Sequence, residues 1–182
     1  DVILVEGETA VSDTIRGGDG NDILRITGTD IDLSGATLEG LERLEAQSQS
    51  LALTQAQYAQ FAGRISGAAG LILKLTAAGQ ATVSQLPAGF VGIRGSAGSD
   101  TLTGGDGIDL LVGDSGADVV DGGNGNDRLS GGSGGDTVRG GAGDDQLLGN
   151  EGDDLLEGGD GVDQLVAGAG VDTLRGGAGE DL

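Results

Sequence analysis

The chain has 182 residues, among them 40 glycines, one proline, two Phe, one Tyr and no Trp, Met, Cys or His, and its formal net charge is −21. Lacking Cys and His, it has no disulfides, thiolate nucleophiles, His-dependent triads or usual zinc and copper ligand sets, which leaves hard oxygen donors for any metal. An acidic surface of this size excludes nucleic-acid and anionic-membrane binding and asks for a cationic partner, and the scarcity of rings implies a repetitive core of Leu, Ile, Val and Ala.

Residues 1–34 hold one complete glycine-rich nonapeptide, GGDGNDILR at 17–25, preceded by a degenerate copy in which Asp13 and Ile15 keep the spacing. The chain opens on Asp1 with no basic, apolar leader and ends at Leu182 inside a repeat, so a fragment or a processed chain is expected.

Residues 35–94 lose the nonapeptide, yet short apolar alternations continue from 31 onward: Ile31 and Leu33, then 41–44, Leu51 and Leu53, 71–75, and Val91 and Ile93. These read as further solenoid strands. Leu38, Leu41 and Leu44, with Glu39, Glu42 and Arg43 between them, fit helix or strand; the glycine-rich flanks favour strand. Thr54 before a run from Gln55 to Phe61 predicts one short Thr-capped helix ended at Gly63. Tyr58, Phe61 and Phe90 read as packing residues. The longest strongly apolar run, 71–75, is interrupted by Lys74, so no segment is expected to cross a bilayer.

Residues 95–182 repeat every nine residues without insertion or deletion. Asp stands at 100, 109, 118, 127, 136, 145, 154, 163, 172 and 181, each with a Gly two residues before it; all but the last are followed two residues later by Leu or Val. The unit is Gly-Gly-x-Gly-x-Asp-x-(Leu/Val)-x, with clean copies GGNGNDRLS at 122–130 and GGSGGDTVR at 131–139. Ser96, Asp114 and Asn150 replace the second Gly, and Ala167 the first. Ala167 is the most awkward departure if its backbone needs positive φ; Asn150 and Asp114 suit such a conformation better.

The unit resembles the RTX (repeats-in-toxin) nonapeptide of secreted calcium-binding proteins. The resemblance implies an all-β fold, a right-handed parallel β-roll or β-helix solenoid with calcium in the Gly/Asp turns. Two copies would complete one turn, so each loop would stack on the loop two copies later. One column would carry Asp100, Asp118, Asp136, Asp154 and Asp172, the other Asp109, Asp127, Asp145, Asp163 and Asp181. Loop carbonyls, such as those of Gly105, Gly107, Gly123, Gly125, Gly132, Gly134, Gly141 and Gly143, would complete the ligand sets. Asp13 and Asp22 are candidate ligands at the isolated copies.

Strands stack roughly 4.8 Å apart, so neighbouring carboxylates of one column would repel by about 4 kcal/mol at an effective dielectric of 20. Calcium, taking 6 to 8 oxygens at roughly 2.3 to 2.6 Å, suits such loops better than the smaller octahedral Mg²⁺. Four gaps in each column give up to about eight ions. Residues 95–182 carry 19 acids against Arg128, Arg139 and Arg175, a net charge of −16, so without metal the segment should be expanded and binding should also be folding.

Three functions are expected from this reading. The first is a non-catalytic, calcium-folded module of an extracellular protein secreted by the type I route. The second is a surface-layer or adhesin protein that self-associates or contacts a cell surface, because Val112, Leu148 and Val166 would line one sheet face. The third is the accessory C-terminal module of a secreted protease, lipase or toxin. No catalytic constellation stands within the chain itself, since one Asp of each acid pair is already a repeat position.

Overall fold

The computed structural model describes residues 1–6, 11, 13–28, 30–47, 50–54, 57, 60, 65–67, 72–75, 80–82 and 92–182. Every element bounded among them is a β-strand, and every strand pairing given below is parallel. The chain forms two compact units, Asp1–Thr76 with Gln85–Val91, and Ala77–Ser84 with Gly92–Leu182.

In the second unit one sheet runs in the order β10 (Gln80–Thr82), β12 (Thr101–Thr103), β14 (Val119–Asn124), β16 (Thr137–Ala142), β18 (Leu155–Asp160), β20 (Thr173–Ala178). The other contains β11 (Gly92–Arg94), β13 (Leu110–Ser115), β15 (Arg128–Ser133), β17 (Gln146–Glu151) and β19 (Gln164–Ala169). From β11 and β12 onward each paired residue meets its counterpart two repeats later: Leu102 pairs with Val120, Val120 with Val138, Leu111 with Leu129. Two nonapeptides therefore make one turn of the solenoid, as expected.

The alternation within each copy explains the packing. The residue two after each Asp points inward, its neighbours outward, as strand geometry dictates. Leu102, Val120, Val138 and Leu156 from one sheet, and Ile93, Leu111, Leu129 and Leu147 from the other, are almost wholly buried. Each contributes about 1.5–3 kcal/mol of apolar burial, and aliphatic side chains stacked in columns make up the core.

The first unit keeps parallel stacking with a longer and irregular rung. β1 (Val2–Glu6), β3 (Ile23–Thr27), β6 (Arg43–Gln47) and β8 (Ile65–Gly67) form one sheet, pairing Ile3 with Leu24, Leu24 with Leu44 and Leu44 with Ile65. β2 (Thr14–Arg16) pairs with β5 (Thr37–Glu39), and β7 (Ser50–Leu53) lies between β4 (Asp30–Asp32) and β9 (Ile72–Leu75). Leu24, Ile26, Leu33, Leu44, Leu51 and Leu53 supply its buried core. The strand reading of 38–44 holds: Leu38 lies in β5, Leu44 in β6, and buried Leu41 in the turn between them.

At the expected helix start, the Gln57 N–H donates to Thr54 Oγ1 at 3.2 Å and the Thr54 N–H to Gln57 Oε1 at 2.8 Å, the reciprocal pattern of a capping box. Most of the expected helix, with Tyr58, Phe61 and its Gly63 end, lies outside the described residues, as do Phe90 and Val91. No helix of the described residues is long and apolar enough to cross a membrane.

Candidate metal centre

The glycine-rich turns bring the repeat aspartates inside. Asp100, Asp118, Asp127, Asp136, Asp145, Asp154 and Asp163 are all buried, and they stack in the two expected columns. The carboxylates do not simply face one another, however. In each step the backbone N–H of one Asp donates to Oδ1 of the Asp one turn later: Asp100 to Asp118 at 2.7 Å, Asp118 to Asp136 and Asp136 to Asp154 at 2.8 Å. The second column repeats this from Asp109 to Asp127, Asp127 to Asp145 and Asp145 to Asp163. At the far ends Asp154 donates to Asp172 and Asp163 to Asp181.

The second carboxylate oxygen has no such partner. Oδ2 of Asp118, Asp127, Asp136, Asp145, Asp154 and Asp163 is buried and receives no hydrogen bond. The first loop of each column differs: Oδ2 of Asp100 accepts the Ser96 N–H at 2.8 Å and Oδ2 of Asp109 the Gly105 N–H at 2.9 Å. From the next loop onward the residue at the second repeat position takes positive φ, including Asp114 and Asn150 at 79°, and Oδ2 is left without that donor. A buried carboxylate oxygen with no donor costs several kcal/mol unless a cation meets it.

The first glycine of each copy explains where such a cation is drawn. Strand pairing skips this residue: Asp121 pairs with Arg139 and Gly123 with Gly141, but Gly122 and Gly140 do not pair. A methyl group on Gly122 would run into Asp127 Oδ2 and would lie 2.7 Å from the Gly140 carbonyl oxygen. The same two oxygen types crowd Gly113, from Asp118 and Gly131, and Gly158, from Asp163 and Gly176. Each gap thus gathers a carboxylate oxygen and a backbone carbonyl from successive turns into a space that a side chain would fill. Calcium, which takes carboxylate and backbone carbonyl oxygens together, fits this donor set.

The electrostatics agree. Burial, with the neighbouring carboxylates of the column adding to it and the N–H of the preceding Asp opposing it, pushes the Asp127 and Asp136 carboxyls up to about 6. Burial also raises Asp109, Asp118 and Asp145. Without a cation, the columns resist full ionisation.

The glycines divide by position. The Gly105 carbonyl already accepts the Asn124 N–H at 2.8 Å. Among the described residues no backbone donor reaches the carbonyls of fourth-position Gly107, Gly125, Gly134 and Gly143. The first-position glycines were absent from the sequence-based ligand set, although their near-invariance was the available signal. No first-position residue of the roll takes positive φ, Ala167 included, so the condition under which Ala167 would be strained is not met, although its methyl group stands where the other copies leave room.

Outside the roll, Asp22 is buried while Asp13 is exposed. The Asp13 carbonyl accepts the Thr37 N–H at 3.1 Å, and the residue before Thr37 is Ala36, which offers no side-chain oxygen. No group of three or more acidic side chains placed to hold a metal ion occurs among the described residues.

The family model for the RTX calcium-binding nonapeptide repeat matches residues 10–25 and, in overlapping stretches, 94–129, 121–156, 130–165 and 157–182. A search of curated proteins finds no match to the chain.

Proposed function

The chain belongs to the RTX calcium-binding nonapeptide repeat family, and from that premise we propose that it is a non-catalytic, calcium-folded module of a protein exported by the type I route to act outside the cell. The observation that carries this reading is the set of buried Asp Oδ2 atoms without donors, repeated down both columns. Bound calcium supplies positive charge to those oxygens and to the loop carbonyls beside them. The chain's part is to hold the oxygens in register through the Asp N–H to Oδ1 ladder. We take four gaps per column, hence up to about eight ions, as the upper number.

The direction of export follows from affinity. At the submicromolar calcium of a cytosol weak sites stay empty, and a segment of charge −16 stays expanded enough to be threaded; millimolar calcium outside then folds it. Hydrodynamic radius measured against free calcium from about 0.1 μM to about 10 mM should fall with a midpoint between about 10 μM and about 1 mM. A chain already compact at the lowest calcium contradicts this reading.

One observation favours a second reading, a structural protein of a surface layer or adhesin. The outward residues on either side of the inward Leu in β13, β15, β17 and β19 include no acid, and Leu148 and Val166 are 42% and 48% exposed beside Ser130, Gln146 and Gln164. The other sheet instead carries a charged row on its outer face, where Glu157 bridges Arg139 at 3.0 Å and Arg175 at 2.5 Å. Sedimentation of the same samples separates the readings: growth beyond a monomer at millimolar calcium supports the structural role, and a monomer throughout removes it.

A further inference from the structure

The lone nonapeptide at 17–25 is followed by no further copy until the roll begins, yet the first unit builds the same rung from residues outside any repeat. In the roll, the residue after a repeat Asp donates its N–H to the carbonyl of the Asp one turn earlier, as Val119 does to Asp100 at 2.9 Å. In the first unit the Arg43 N–H donates to the Asp22 carbonyl at 3.1 Å, and the Ile23 N–H to the Asp1 carbonyl at 2.9 Å. Asp1, Asp22 and Glu42 therefore occupy successive Asp positions of one column.

The side chains follow the same ladder. The Asp1 nitrogen lies 2.8 Å from Asp22 Oδ1, and the Asp22 N–H donates to Glu42 Oε2 at 2.7 Å, just as each repeat Asp donates to the carboxylate one turn on. Asp22 is 1% exposed, and its two carboxylate oxygens are both buried without a hydrogen bond, whereas an interior Asp of the roll leaves only Oδ2 so. The first-position contact is also present: a methyl group on Gly17 would meet the Gly40 carbonyl oxygen, and would lie 2.7 Å from Asp22 Cβ.

The glutamate has a geometric reason. Ile15 pairs with Leu38 and Leu24 with Leu44, so the loop from Leu38 to Leu44 is shorter than the loop from Ile15 to Leu24 on which it stacks. The same shortening brings Gly40 closer in sequence to Glu42 than Gly17 is to Asp22. A side chain one methylene longer than Asp carries its carboxylate across the distance that the missing backbone would have covered.

We infer that Asp22 and Glu42, with the Gly40 carbonyl, form a calcium site in the first unit, in which a glutamate from outside the repeats replaces the second repeat aspartate. This rests on the calcium reading of the roll. It makes the 36–44 segment a ligand-bearing loop and links calcium to the folding of both units. By contrast the Asp13 column, which meets Ala36, forms no such pair.

The test counts calcium ions per full chain at saturating metal by native mass spectrometry. Glu42→Gln keeps an oxygen acceptor for the Asp22 N–H and should bind one ion fewer than wild type. Asp22→Asn should lose the same single ion, and the double variant no more than one. Asp136→Ala, in the roll, reports on the calcium reading independently. Loss of ions in Asp136→Ala with a full count in Glu42→Gln overturns this site alone; full counts in all variants overturn the repeat reading and this site with it.

Discussion

Gly134→Ala is expected to raise the calcium concentration needed for folding at least tenfold, while Gly135→Ala, one residue on, leaves it within a factor of about two. Gly134 holds φ at +130°, and a methyl group there would land on the Gly116 carbonyl oxygen of the previous turn. The conformation alone costs an L residue about 1–3 kcal/mol, and the obstruction is backbone fixed by its own ladder, since the Gly116 N–H donates to the Ser133 carbonyl at 2.7 Å. Relief requires a shift of the whole turn. Gly135 has ordinary φ, and the nearest atom to an added methyl is the Asp153 carbonyl oxygen at 3.3 Å. Its slight crowding is offset by the lower conformational entropy of an unfolded chain carrying Ala. Calcium-dependent circular dichroism of both variants checks the contrast, and equal midpoints would mean that the loops are not stacked at this spacing.

Asp136→Ala should cost more than Asp181→Ala in both bound calcium and thermal midpoint. Asp136 is 2% exposed, its Oδ1 accepts the Asp118 N–H at 2.8 Å, and its own N–H serves Asp154. Removing it leaves a buried N–H without a partner, which costs about 1–3 kcal/mol, and takes away the donor-free Oδ2 beside Gly131. Asp181 is only half-buried and accepts one hydrogen bond, from Asp163 at 3.1 Å. Titration calorimetry should lose one or two ions for the buried position and at most one for the half-buried one. Equal losses would contradict the stacked columns.

The roll was legible because its period is a geometric quantity. An apolar residue two after each Asp places one residue inward per strand, and the two-copy rung that the RTX resemblance implied is the one that the pairing of Leu111 with Leu129 displays. Backbone direction was less legible. Nothing in the sequence shows that each interior Asp of the roll spends one oxygen on the N–H of its predecessor and leaves the other bare, since that depends on the φ of the second-position residue. The need for glycine at the first position likewise comes from neighbours a full turn of the solenoid away, as at Gly122 beneath Gly140.

Beyond the nonapeptide at 17–25, which marked Asp22, the first unit was legible only as strands. Its rungs differ in length, as the pairs Ile15 with Leu38 and Leu24 with Leu44 show, so no fixed period marks equivalent positions. Glu42 carries neither the residue type nor the spacing of a repeat aspartate. The hydrogen bond from Asp22 reveals the equivalence. The outward sheet face was readable from alternation, and Leu148 and Val166 are exposed where that alternation places them.

The central claim is that the buried oxygens of the two columns need a cation of calcium's size and coordination in order to pack. The direct measurement is a far-UV circular dichroism titration of the chelated protein with calcium, beside an identical titration with magnesium. The account predicts a cooperative rise of β signal with calcium alone, because magnesium demands a smaller octahedron and holds its water. A chain already folded in chelator, or one that folds equally well with magnesium, would contradict it.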